Sequence, residues 1–160
     1  MLLSEAQVRP YALQLEKVRS EALYSAQTYY EACKRLDSAA RRLIFLPSCA
    51  SAIAGFAVAI GAYRWIGGIS ALASVMVATA SYIGVDRKAA SYRRTAGQMT
   101  ALRHRAALEL DLAREGTLEQ LEQRTREASR DYQELVTTAE PTSNKDFALA
   151  RKRIADGFFE

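Results

Sequence analysis

A chain of 160 residues with a formal net charge of +4 and a mean hydropathy of −0.14 looks unremarkable on averages, because its apolar residues are concentrated rather than spread. Its two cysteines, Cys33 and Cys49, have no metal-ligand spacing, and its one histidine, His104, makes no catalytic constellation; a disulfide framework and a cysteine-histidine metal centre are excluded. No phosphate-cradling glycine loop or nucleophile motif is present either, so a non-enzyme without a cofactor is expected.

The segment Met1-Leu2-Leu3-Ser4-Glu5 has no basic region followed by an apolar run, and no cleavable signal peptide is expected. Pro10 suits the first turn of a helix. From there apolar or small residues recur at Tyr11, Leu15, Val18, Ala22, Ser25, Tyr29, Ala32, Leu36, Ala39 and Leu43, in alternating steps of four and three. This is a heptad seam, unbroken by glycine or proline.

Two stretches then lack any charged residue, Leu43 to Tyr63 and Trp65 to Val85. Each is about 20 residues, which as a helix spans about 30 Å, the thickness of a bilayer's hydrocarbon core. Apolar runs of this length are the mark of membrane spans, although a buried hairpin in a soluble all-α protein is the competing reading. Pro47 removes one backbone hydrogen bond and is expected to kink or hinge the first span. The turn between the spans is expected at Arg64-Trp65-Ile66-Gly67-Gly68, with Gly67 and Gly68 supplying unusual backbone angles. Arg64, flanked by Tyr63 and Trp65, belongs at the far interface. Lys34, Arg35, Arg41 and Arg42 precede the first span and Arg87, Lys88, Arg93 and Arg94 follow the second, so the positive-inside rule puts both termini in the cytoplasm.

Small residues share one helix face at Ser48, Ala52, Gly55, Ala59 and Ala62, and again at Ser70, Ser74, Ala78 and Ser81. Either stripe serves close helix packing or lines a narrow pore, for which Phe45, Phe56 and Tyr82 are candidate constrictions. The spans hold no acid or base, hence no evident proton relay.

After the spans, Ala89 to Glu115 reads as a basic helix with Tyr92, Ala96, Met99, Ala106, Leu110 and Ala113 on a stripe. Gly116 stops it, and Thr117 with Gln120 is a capping box that starts the next helix. That helix carries a second seam, Leu118, Leu121, Thr125, Ala128, Tyr132, Leu135 and Ala139. Pro141-Thr142-Ser143-Asn144 breaks the chain, and Asp146 to Ile154 forms a short last helix. The two seams can pair within the chain or with other copies.

The basic residues Arg41, Arg42, Arg87, Lys88, Arg93 and Arg94 are candidates for anionic-lipid or ligand contact. Arg103-His104-Arg105 lies farther from the spans, where it pairs with acids such as Glu109, Asp111 or Glu31, or binds a phosphate-rich ligand. The expected fold is an all-α membrane protein: a two-helix transmembrane hairpin continuous with long cytoplasmic helices, in a homo-oligomeric helical bundle. Residues 1–42 are its N-terminal cytoplasmic helix, 43–85 the hairpin (about 43–63 and 66–85), and 86–160 the C-terminal cytoplasmic helices.

The order of features resembles a known family. A helix containing Tyr29-Tyr30, a hairpin entered through Phe45-Leu46-Pro47-Ser48, a following helix that begins Ala89-Ala90-Ser91-Tyr92-Arg93-Arg94, and a tail of Tyr132-Gln133-Glu134-Leu135, Pro141 and Ala148-Leu149-Ala150-Arg151 look like the SLATT domains. The resemblance runs from about Tyr11 to Phe158 and rests on length, topology and order. It implies a two-span effector of bacterial defence or conflict systems in the inner membrane, forming a homo-oligomeric pore, with a tetramer as the working number. The signal it implies is a nucleotide or oligonucleotide made by a partner nucleotidyltransferase, and opening would collapse the membrane potential. The alternative expectations are a non-conducting membrane-anchored scaffold that recruits a cytoplasmic partner, and a lipid-binding or membrane-shaping protein.

Overall fold

The computed structural model describes residues 3–61 and 65–157. Tyr63 and Arg64, the expected interfacial anchor, lie outside the described residues, as does Ala62. The elements are α1 (Glu5–Ala40), a π-helical turn (Arg41–Phe45), α2 (Leu46–Ala59), α3 (Trp65–Ile83), α4 (Val85–Asp111), α5 (Leu118–Thr138) and α6 (Asn144–Ala155). Among the described residues there is no strand. Two compact units result, one from the chain up to Ala32 together with the chain from Tyr92 onward, the other from Cys33–Ser91.

The first unit closes the seams on one another. Val8, Leu15, Val18 and Ala22 of α1 pack with Leu102, Ala106 and Ala113 of α4 and with Leu121 and Ala128 of α5 in one buried cluster. Steps of three and four put these residues on single helix faces, so three amphipathic helices bury their stripes together. The pairing within the chain is therefore the one realised. Pro10 lies inside α1 rather than in its first turn. The helix begins earlier because Ser4 starts it: the backbone N–H groups of Gln7 and Val8 donate to the Ser4 carbonyl, and the Ser4 hydroxyl donates to Gln7 Oε1 (2.8 Å). The carbonyl that Pro10 leaves without an i→i−4 donor belongs to exposed Ala6, where water reaches it. This earlier start brings Val8 into the core.

Beyond Ala32 the seam fades, with Leu36 and Ala39 half-buried and Leu43 exposed. A π turn then follows at Arg41–Phe45. Leu46 N–H donates to the Arg41 carbonyl, five residues back, so the turn holds one residue more than an α turn and shifts the phase of everything after it. The extra residue sits directly before Pro47, which supplies no donor to the turn behind it.

Helix ends follow the glycines and hydroxyls. Gly61 (φ +92°), Gly84 (φ +71°) and Gly116 (φ +93°) all adopt left-handed backbone, which glycine enters without a Cβ penalty. Gly61 ends α2, and Gly67 and Gly68 are helical residues of α3, so the break comes earlier than the sequence suggests. The glycine N–H at 61 donates to the Val58 carbonyl (3.1 Å), tightening the last turn. At Gly84 the second apolar helix stops and α4 starts at once, four residues ahead of the expected Ala89. The Thr117 box is formed as read: Gln120 N–H donates to Thr117 Oγ1 (3.3 Å) and Thr117 N–H to Gln120 Oε1 (3.1 Å). Ser143 and Asp146 form a second capping box, which starts α6 two residues before Asp146.

Gly116 joins two of these devices. A Cβ there would lie 2.5 Å from Gln120 Oε1, the acceptor of the capping box, on backbone already at positive φ. Gly116→Ala is expected to destabilise the first unit by about 2 kcal/mol, roughly 1 from the left-handed backbone and about 1 from the displaced cap. Thr117→Ala should remove only about 1 kcal/mol. Denaturant unfolding followed by helix signal checks both.

Candidate functional site

The second unit contains the charge-free segments as an antiparallel helix pair: Ser51 of α2 lies opposite Ser70 and Ser74 of α3, while Val58 lies opposite Gly67. The stretch Glu5–Ala59 includes one run long and apolar enough to cross a membrane, and Trp65–Thr79 is a shorter apolar helix. Both are apolar all round. Among the described residues only Ala54 of α2 and Ala73 of α3 are buried, whereas Leu46, Ile53, Phe56, Ile60, Trp65, Leu72 and Val75 are all more than half exposed. A helix with no polar face needs protein or lipid around it.

Between the helices sits a serine network. Ser70 Oγ donates to the Ser51 carbonyl (3.2 Å), and Ser74 Oγ donates to the Ser70 carbonyl (2.9 Å). Ser51 Oγ, which has one proton, donates to the Ser70 carbonyl (3.3 Å) and lies 3.0 Å from Ser70 Oγ and 3.1 Å from Ser74 Oγ. The hydroxyls thus satisfy one another and tie α2 to α3. Ser48 Oγ turns back on its own helix and donates to the Ile44 carbonyl (2.6 Å).

The two small-residue stripes take different places. Ser70 and Ser74 of the second stripe meet α2, but they meet it at Ser51, one residue off the first stripe. Ser48 and Ala52 flank Ser51 in a shallow groove of about 440 Å³ completed by Ser74, Val77 and Ala78. Gly55, Ala59 and Ser81 are exposed outside it, and Cβ placed on Gly55 would meet nothing within 4 Å. The candidate constrictions Phe45, Phe56 and Tyr82 are likewise exposed and do not line the groove. Ser51 is the residue that the sequence reading omits; the signal for it was a third hydroxyl in the spans at helical spacing from Pro47, Ala54 and Val58. The chain matches no family model, no curated protein and no solved structure.

The basic candidates divide between the units. Arg41, Arg42, Arg87 and Lys88 are exposed next to the apolar segments in sequence, and Arg93 and Arg94 are exposed in α4. Arg105 is held by two acids of α5, Asp131 (2.7 Å) and Glu127 (3.0 Å). Of the acids named for the Arg103-His104-Arg105 cluster, Glu109 pairs with Arg124 (3.4 Å) and buried Glu31 pairs with Arg153 of α6 (2.7 Å). The register of α5 decides this, since its acids at 127 and 131 are one turn apart and both face Arg105. His104 is exposed.

In the first unit, Tyr29 is the ionisable group whose setting shifts it clearly. Burial, and then the nearby Tyr92, Tyr132 and Glu140, push its phenol above the ordinary 10.0. Its hydroxyl donates to the Glu140 carbonyl (3.1 Å).

Two outcomes follow. Ser51→Ala removes the hub of the network and should weaken the α2–α3 association by about 1 kcal/mol, the usual scale for hydroxyl bonds between apolar helices, as read by reversible unfolding in mixed detergent. For Tyr29 the folded state holds the proton more tightly than the unfolded chain, so its contribution is intact below pH 10 and is lost as pH rises above it. Stability of the wild type should therefore fall more steeply above pH 10 than that of Tyr29→Phe, with parallel curves below pH 9 or so.

Proposed function

We propose that this protein is a bacterial inner-membrane effector whose Leu43–Val85 hairpin spans the bilayer with both termini in the cytoplasm, and whose copies assemble into a pore. The observation that carries this reading is the largely exposed apolar surface of α2 and α3, free of charged residues and interrupted on one face by the Ser48, Ser51 and Ser74 groove. Lipid suits the apolar part of that surface. Two thin helices cannot enclose water, so conduction requires a closed ring of copies, with the hydroxyl-bearing face or the exposed Gly55 and Ala59 face turned to the axis. The basic residues Arg41, Arg42, Arg87 and Lys88 then lie at the cytoplasmic headgroups, where they match anionic lipid.

The resemblance to SLATT domains supplies the physiological setting: a nucleotide or oligonucleotide, made by a partner nucleotidyltransferase, biases the cytoplasmic helices between closed and open arrangements. Such a ligand acts only through unequal affinity for the two states. The pore would dissipate the membrane potential and arrest the cell.

A second reading, a non-conducting anchor for a cytoplasmic scaffold, draws on one observation. The Ser51, Ser70 and Ser74 hydroxyls are satisfied within one hairpin, which leaves them no need of further copies.

Ion flux from liposomes containing the purified chain separates the two. Gly55→Leu adds a side chain into space that the subunit leaves open, and Ala78→Leu fills the groove; neither touches the serine hydrogen bonds. Under the pore reading the wild type conducts and at least one variant changes flux by about tenfold or more, because a narrow path is sensitive to one side chain. A chain that stays monomeric in lipid, or that conducts no better than empty liposomes with and without candidate nucleotides, defeats the pore and leaves the anchor.

A further inference from the structure

α6 is attached to the first unit by polar fasteners. Of its residues only Asp146 and Ala150 are buried, while Phe147 and Leu149 are about half exposed, so apolar burial holds it weakly. The turn leading into it is pinned by two phenols. Tyr29 Oη of α1 donates to the Glu140 carbonyl (3.1 Å), and Tyr92 Oη of α4 donates to the Pro141 carbonyl (2.8 Å). The two rings touch, with centroids 5.7 Å apart and planes tilted by 55°. At the other end of α6, Arg153 reaches Glu31, a carboxylate only 6% exposed on α1. Between these points Ser143 and Asp146 cap the helix.

The positions of the fasteners matter more than their number. Tyr29 and Glu31 stand on the last residues of α1 within the first unit, which ends at Ala32, and Tyr92 is the first residue of α4 within it. Both helices continue from there into the segment that contains the hairpin. We propose that the Pro141 turn and α6 act as a releasable clamp that joins α1 to α4 where the chain enters and leaves the hairpin segment, and that release of the clamp is the conformational step that alters the pore. The clamp is suited to release: hydroxyl-to-carbonyl bonds and an ion pair fasten it, whereas the rest of the unit is held by the buried cluster of Leu15, Val18, Leu102 and Leu121. Segments with few buried apolar contacts open at lower free energy than the core. The consequence for conduction rests on the pore reading, whereas the clamp does not.

The test uses the full chain in liposomes, with spin labels on Tyr30→Cys and Arg94→Cys in a Cys33→Ala, Cys49→Ala background. Tyr29→Phe with Tyr92→Phe removes both hydroxyls and keeps both rings; Arg153→Gln attacks the other end. In each, amide protection across α6 should fall by about tenfold or more, and the distance distribution between the labels should broaden, while amides from Leu121 to Ala128 keep their protection. Unchanged α6 protection in both variants, or an unchanged label distribution once α6 has loosened, overturns the clamp. Flux recorded on the same liposomes decides its consequence separately. A change in flux with release supports it, a conducting wild type whose flux ignores release refutes it, and a silent wild type defeats the pore reading while the label distances still judge the clamp.

Discussion

An apolar helix must satisfy its own backbone, and the hairpin is organised around that requirement. In a bilayer no water would reach a carbonyl that loses its donor, and each such group costs several kcal/mol. Pro47 creates that problem at the start of α2. Its neighbours bond irregularly: Leu46 N–H donates to the Arg41 carbonyl, five residues back, and the Ser48 hydroxyl donates to the Ile44 carbonyl. The same rule governs the hydroxyls. Ser51, Ser70 and Ser74 each donate to a backbone carbonyl, two of them across the pair, so polarity inside the pair becomes adhesion between α2 and α3.

That arrangement moves the question of assembly. The heptad seams of α1 and α5 invite oligomerisation on sequence grounds, yet Leu15, Val18 and Ala22 are buried against Leu102, Leu121 and Ala128 of the same chain. Ala22, Ala106 and Ala128 let three helices approach closely, and Leu15, Leu102 and Leu121 fill the space between them. Little of the seam remains for another copy. Uncovered apolar surface is densest on the hairpin, with Phe56, Leu72, Val75 and the small side chains at Gly55 and Ala59, while Leu13 and Leu108 are exposed on the first unit. In the proposed pore these apolar segments would make the contacts between copies, and a signal reaching the helical bundle would pass along α1 and α4.

The legible part of this architecture is what periodicity and terminal chemistry encode locally. The seams, the stop at Gly116 and the Thr117–Gln120 box are all present, because each depends on residues within a few positions of one another. The errors fall where one local rule competes with another. Gly67 and Gly68 look like the turn, but Gly61 precedes them and takes the left-handed backbone first; Pro10 looks like a first-turn residue, but Ser4 and Gln7 start the helix sooner. Near Pro47 the irregularity is a π turn just before the proline, which inserts a residue and which periodicity alone does not signal. Pairing is least legible. Ser51 differs from Ser48 by three positions and nothing local distinguishes the serine that faces α3 from the one that folds back on Ile44. Arg105 likewise has acids near it in sequence, but the register of α5 supplies Glu127 and Asp131 instead.

The division between apolar core and polar fasteners gives the first unit two grades of stability. Removing a side chain such as Leu15 or Leu121 would open a cavity in the cluster that defines the unit, at a cost of about 2–5 kcal/mol. Each fastener of α6 is a smaller and separable quantity, on the order of 1 kcal/mol for a hydroxyl bond. A helix held in this second way can leave while the bundle persists. Its contacts end on Tyr29, Glu31 and Tyr92, the residues at which α1 and α4 pass towards the hairpin segment. Energetic weakness and strategic position coincide at α6, which is the combination a regulatory element requires: a small differential affinity of a ligand or partner for the docked helix is enough to shift its population, and the shift is delivered to the two helices that the hairpin depends on.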